Sequence, residues 1–160
     1  MQDAGDRRRK GAQDLGMIFR EFELGSKEYH EALQLRAAVL RTPLGLTWTE
    51  AELADEPHCY HLGAFEGERL VAVLLLKPLS KEKMKMRQVA VHFDFQGRGA
   101  GAQLVAFAEE FSRARNCRSL VAHARESAVG FYQKIGYSVS SDPFIENTIP
   151  HRLVMKEVGL

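Results

Sequence analysis

Two hydrophobic periods divide this chain into extended and helical segments. Over 18–24, Ile18, Phe22 and Leu24 share one phase of a period-two pattern, which predicts a first strand. Ser26 then precedes Tyr29, Leu33, Ala37 and Leu40, whose spacing predicts a helix that Pro43 stops. Thr49 and Glu52 stand as the two ends of a capping box and predict a short second helix, closed before Pro57. Extended segments near 59–65 and 70–77 flank Glu66-Gly67-Glu68, which predicts a hairpin.

Over 84–93 the apolar phase changes. Met84 and Met86 fall on even positions, whereas Val89, Val91 and Phe93 fall on odd ones. A strand keeps one face only at strict period two, so the slip near Arg87 and Gln88 predicts a β-bulge. The other reading is that one apolar set faces solvent or a second core. Past Gly101, Leu104, Ala108 and Phe111 form the apolar face of a helix, with Glu109, Glu110 and Arg113 placed outside. A strand over 120–124 and a short helix over 128–135 follow, with Gly136 suited to the residue after the helix cap. A last strand is expected over 153–158. The order is strand, two helices, three strands, helix, strand, helix, and one or two strands more, with no internal repeat and no interdomain linker.

Composition narrows the class. The 160 residues are 45% hydrophobic and 27% charged, as in an ordinary soluble globular domain. Residues 17–160 are expected to form it. Residues 1–16, which carry Arg7, Arg8, Arg9 and Lys10, read as a disordered, solvated tail. A net charge of +1 lacks the basic excess of a nucleic-acid binder. Cys59 and Cys117 are the only cysteines, which fits a reducing cytoplasm. The longest apolar run, 70–76, is too short to span a bilayer, and no apolar stretch follows the polar opening, so neither a membrane protein nor a signal peptide is expected. His58, Cys59 and His61 cluster without a fourth ligand signature, so no metal site is expected.

The candidate chemistry lies in Gln96-Gly97-Arg98-Gly99-Ala100-Gly101, between a strand and a helix. Glycines there let the backbone take positive φ, so that successive N–H groups converge on an anion beside the partial positive charge of a helix N-terminus. That is a pyrophosphate cradle, to which Arg98 adds a cation. GxxxxGK[ST] is absent. G-x-G-x-x-G/A is matched by Gly97, Gly99 and Ala102, but Cys117-Arg118-Ser119 stands where a ribose-binding carboxylate belongs. Q-x-x-G-x-G is satisfied by Gln96, Gly99 and Gly101.

With these residues in place, the chain resembles the GNAT superfamily of acetyl-CoA-dependent N-acetyltransferases. RQVAVHFDFQGRGAGAQLV is similar to its acetyl-CoA motif, and AVGFYQKIGY, starting at Ala128, to its A-x-x-F-Y-x-x-x-G-F/Y block. LRTPLGL, starting at Leu40, and ENTIPH, starting at Glu146, resemble the small ElaA/YjcF-like branch. The resemblance covers roughly 17–158. It implies an α/β fold: a central mixed, mostly antiparallel sheet of six to seven strands, flanked by about four helices, with strands 4 and 5 splayed.

The resemblance also implies roles. Backbone groups of Val89, Ala90 and Val91 would hold the pantetheine and acetyl carbonyl. Gln96 and the amides of Gly97, Arg98, Gly99, Ala100 and Gly101 would hold the pyrophosphate. Tyr132 would meet the cofactor as general acid, protonating the CoA thiolate. Candidates for a base or acceptor contact are His151 and Glu146, with His123 and Asp94 behind them; Arg41 would meet an anionic group of the acceptor. Arg125 stands where the family commonly has a polar amide. The implied activity moves the acetyl group of acetyl-CoA directly to a primary amine of a small molecule or protein. The alternative is a catalytically silent acyl-CoA-binding sensor on the same fold. Implied partners are acetyl-CoA and the amine, with neither nucleic acid nor membrane, and a second copy as a homodimer.

Overall fold

A computed structural model describes residues 16–159. The basic cluster of the predicted tail lies outside the described residues. Contacts gather into two compact units: one holds the described residues up to Leu75 with Gln88–Phe107, and the other holds Leu76–Arg87 with the residues from Ala108 on.

In the first unit β1 (Ile18–Phe22) pairs antiparallel with β2 (Tyr60–Glu66), Phe22 standing opposite His61. Only Phe22 of the predicted apolar phase is buried, while Ile18 and Leu24 are exposed. β1 pairs with β2 alone, and Phe22 is its one residue in the cluster formed with Tyr29, Ala32, Leu35, Phe65 and Leu70. Helix α1 (Lys27–Arg36) starts where Ser26 Oγ accepts the Tyr29 amide at 3.2 Å. The predicted helix then changes winding, through a π-helical turn, Ala37–Arg41, and a 3-10 turn, Thr42–Leu44, so Pro43 does not stop the helical path but sits in the first positions of its last turn. Gly45, at φ +70°, ends it. The capping box forms on α2 (Glu50–Leu53) as its spacing predicts.

β3 (Arg69–Pro78) runs through both units, and every residue from 70 to 76 is buried, which explains an apolar run without alternation. β4 (Lys83–Val91) does the same. In the second unit its first residues pair parallel with β5 (Ser119–Arg125), from Lys83 with Ser119 to Met86 with Ala122. That ladder ends at Ala122, while β5 runs on to Arg125 and pairs antiparallel along its length with β8 (Ile149–Glu157). β8 also carries β6 (Ser138–Val139) and β7 (Phe144–Glu146). These two strands are too short to show a period, and with them the mixed sheet has eight strands where six or seven are expected. Strand order is β1-β2-β3-β4-β5-β8-β6, with β7 on β8.

Helix α3 (Ala100–Arg113) buries Leu104 and Ala108 as predicted, together with Val105, while Phe111 is half-buried. Glu109, expected outside, is buried instead: it accepts from Tyr137 Oη at 2.8 Å and from Lys156 Nζ at 3.1 Å. Helix α4 (Val129–Lys134) ends at Gly136, φ +100°, and Lys156 Nζ also donates to the Ile135 carbonyl at 3.0 Å.

Candidate active site

In the first unit, β4 turns left-handed at Gln88, φ +56°. The buried positions nevertheless stay even, Met84, Met86 and Ala90, while Val89 and Val91 are half-buried and Phe93 is exposed. So the core face keeps one phase and the odd apolar set lies off it, as in the second reading of the pattern, while the positive φ falls at the position where the slip is predicted. The Gln88 side chain is fixed from helix α1, where Arg36 Nε donates to its Oε1 at 3.2 Å. Beyond the strand, Gln96 Nε2 donates to the Val91 carbonyl at 2.9 Å, tying the glycine turn to the end of β4.

Gly97 and Gly99 have φ of +78° and +87°. A Cβ at Gly97 would meet nothing within 4 Å, so glycine answers the backbone angle, and the turn is open-sided. Helix α3 begins at Ala100, and the Gln103 amide donates to Gly99 O at 3.0 Å. The first-turn amides lack such carbonyl partners within the helix and face its positive end. Arg98 and Arg69 lie over the Phe95 ring, 5.2 and 5.3 Å from its centroid. An open turn of positive-φ glycines, a helix start and nearby guanidinium groups fit a diphosphate.

Behind β4 the unit holds an ionic core that sequence periodicity misses. Arg36 and Glu56 are fully buried and ion-paired through both terminal guanidinium nitrogens. Tyr29 Oη also donates to Glu56 Oε1 at 2.7 Å; burial, then this bond, pushes the phenol up to about 12. His61 Nε2 donates to the Glu56 carbonyl at 3.0 Å, which leaves Nδ1 as a buried atom with no partner. Burial holds the His61 pKa below its usual value. The missed signal is the helical spacing of Arg36 with Tyr29 and Ala32, which places a cation on the buried stripe. Arg41 is buried too, ion-paired with Glu52 and 4.3 Å from the Trp48 ring centroid, so its charge is matched within the unit. Glu52 Oε1 meanwhile accepts from the Thr49 amide at 2.9 Å. Asp94 is exposed, with Arg69 Nη2 at 3.3 Å from its carboxylate.

In the second unit Tyr132 is buried on α4, its ring packed edge-on against Tyr137 at 5.5 Å. Burial pushes its phenol up to about 12, so it holds its proton through the neutral range. Arg125 ends β5, and burial lowers its pKa.

The same unit brings together residues from β5, β7 and β8. Register places His123 opposite Leu153, Arg125 opposite His151, Phe144 opposite His151 and Glu146 opposite Ile149. By strand alternation all of these share one sheet face. His123 Nδ1 lies 2.8 Å from Glu146 Oε1. The Phe144 ring meets His123 edge-on at 5.0 Å and stacks on His151 at 6.1 Å. His151 is buried, and its Nδ1 donates to the Ile149 carbonyl at 2.9 Å. Glu146 is held by a tight turn in which Asn147 and Thr148 both have positive φ, +51° and +69°.

Among the described residues no group of three or more His, Cys, Asp or Glu side chains is placed to hold a metal ion, and no helix is long and apolar enough to cross a membrane.

The acetyltransferase (GNAT) family model matches residues 23–137, and the chain belongs to this family. The Bacillus subtilis (strain 168) protein YyaT is 29% identical over 137 residues, which cover 82% of this chain and 90% of YyaT. Among solved structures, Escherichia coli ElaA superposes with a TM-score of 0.77 at 20% identity, covering 88% of this chain and 99% of its own. A GNAT family acetyltransferase from Elizabethkingia anophelis with acetyl-CoA bound gives 0.71 at 19% identity, covering 89% and 99%. At these identities the two structures establish a common fold.

Proposed function

We propose that this GNAT acetyltransferase moves the acetyl group of acetyl-CoA directly to a primary amine of a small molecule or protein. The observation that carries the reading is the open turn in which Gly97 and Gly99 take positive φ at the start of α3. Amides from 97–101, with Gln96 and Arg98, bind the diphosphate. Backbone groups of Val89, Ala90 and Val91, freed by the kink at Gln88, bind pantetheine and direct an amide at the thioester oxygen. The E. anophelis relative with acetyl-CoA bound supports the choice of co-substrate.

Tyr132 serves the leaving thiol. With its phenol at about 12, full proton transfer to a thiolate of pKa about 8.5 runs uphill by roughly 5 kcal/mol, so it acts first as a hydrogen-bond donor to the sulfur as the C–S bond breaks. Glu146 and His151, on the shared face of β7 and β8, are the acceptor contacts of this reading. Arg41, already ion-paired, acts by holding Glu52 and Trp48 rather than by a bare charge. The paucity of cysteine supports a cytoplasmic location, with residues 17–160 working as one catalytic domain.

The test is calorimetry with acetyl-CoA, joined to thiol release in a panel of polyamines, aminoglycosides, amino acids and peptides. Saturable binding and amine-dependent release are expected. Absence of binding overturns the reading, and binding without release under any amine favours the acyl-CoA sensor.

A further inference from the structure

We infer that His123 is the general base for the acceptor amine and that Glu146 is its positioning residue; this rests on the acetyltransferase reading above. Four features of the second unit carry it.

First, His123 is the first residue of β5 beyond the parallel ladder, whose last pair is Met86 with Ala122. It therefore stands one residue past that ladder, where β5 keeps its pairing with β8 and its other edge is no longer laddered to β4. Second, a carboxylate only accepts, so the 2.8 Å contact with Glu146 places the proton of neutral His123 on Nδ1 and leaves the Nε2 lone pair as the base. His151 is less suited to the task, since it is buried, with its Nδ1 proton given to a backbone carbonyl. Third, the ring is held from two sides, by Glu146 and by the edge-on Phe144, and both sit on β7, anchored by its ladder to β8.

The fourth feature is direction. His123 shares a sheet face with Leu153 and His151. The opposite face carries Lys156, whose Nζ reaches Glu109 on α3 and lies 5.6 Å from the ring centroid of Tyr137, the residue packed on Tyr132. A base on one face and the tyrosine on the other suit a displacement in which nitrogen arrives from one side and sulfur departs toward the other. The amine nitrogen bonds to the acyl carbon, and its surplus proton passes to His123 Nε2. The C–S bond then breaks and the sulfur takes a proton, giving amide and free CoA; solvent afterwards removes the proton from the imidazole. The charged and titratable groups facing His123 within the unit are Glu146 on β7, His151 on β8 and Arg125 on β5.

The experiment compares the full chain with His123→Gln and Glu146→Gln. It uses acetyl-CoA calorimetry, thiol release with the fastest amine of the panel, and nitrogen-15 spectra of the histidine rings. Expected for His123→Gln are acetyl-CoA affinity within about twofold, kcat lower by about 100-fold, and loss of the acidic limb of the kcat/KM profile. Glu146→Gln should lower kcat about tenfold and reduce the share of the Nδ1–H tautomer in the spectra, because an amide can turn its N–H₂ toward the ring and donate to Nδ1, which a carboxylate cannot. Wild-type spectra should show His123 as the Nδ1–H tautomer, whether or not any amine turns over. A His123→Gln variant with unchanged kcat and profile, or an Nε2–H tautomer, overturns the assignment while leaving the acetyltransferase reading standing. A wild-type chain that fails to bind acetyl-CoA overturns both.

Discussion

Arg36 Nε donates to Gln88 Oε1 across 3.2 Å, so a fully buried guanidinium holds the residue at which β4 turns left-handed. Two energies oppose each other there. The bond to a charged donor contributes about 1.5–3 kcal/mol, and a non-glycine residue at positive φ costs about 1–2 kcal/mol. Gln88→Ala keeps the strain and loses the bond, whereas Gln88→Gly loses both. Denaturant titration should therefore find both variants less stable than wild type, with glycine above alanine by about 1 kcal/mol. Equal stabilities would mean that the angle at 88 is not strained.

The Arg36–Glu56 pair makes a second prediction. Both side chains are fully buried, so removing one leaves an uncompensated charge. Glu56→Met should cost about 3–5 kcal/mol, and adding Arg36→Met should recover much of that loss. A double variant no more stable than Glu56→Met would show that the two charges do not depend on each other.

His61 gives the protein a pH dependence of defined sign. Burial depresses its folded pKa below the unfolded value of 6.5, so the unfolded chain takes up the proton first as pH falls. Its contribution is complete above 6.5 and declines below it, until the folded-state pKa is passed. The unpartnered Nδ1 states the same fact geometrically, since protonation would bury an N–H with no acceptor. Melting curves at about pH 7.5 and about pH 5.5 should show a smaller drop for His61→Gln than for wild type. An identical drop would assign the acid sensitivity elsewhere.

Tyr132→Phe should lower kcat by roughly 10–100-fold, less than a full general acid supplies, because a thiol is already a fair leaving group. Acetyl-CoA affinity should stay within about twofold, since the diphosphate is proposed to bind at 97–101. Unchanged turnover with a verified amine removes the tyrosine from the chemistry.

The turn that presents Glu146 is strained at Thr148, a β-branched residue at φ +69°. Thr148→Gly should raise stability by about 1 kcal/mol, because this hairpin turn favours glycine there. A loss of stability would mean that the threonine side chain makes up for its backbone.

Local chemistry was the most legible part of the sequence. Ser26, the Thr49–Glu52 box and the positive φ of Gly97, Gly99 and Gly136 follow from rules that act within a few residues. Features set by distant partners were not legible. Glu109 reads as a surface charge and nothing in the pattern gives Arg36 a counter-charge, because their partners, Tyr137 with Lys156 and Glu56, are far along the chain. β6 and β7 carry no periodic signal and exist only because β8 offers them an edge. The meeting of His123 with Glu146 depends on β7 folding back, so spacing alone could nominate each residue but not pair them.

Glu52 carries a consequence for the backbone around it. Helix α2 is four residues long, below the length at which a helix sustains itself. One carboxylate secures it, with Oε1 on the Thr49 cap and Oε2 on Arg41. This latch fastens the first part of the connection between the first helix and β2, whose far end is held separately by Glu56 on Arg36 and Tyr29. If it is undone, as by Glu52→Ala, residues 42–54 become a ribbon that a protease can thread, and the first nick in the protein should fall there.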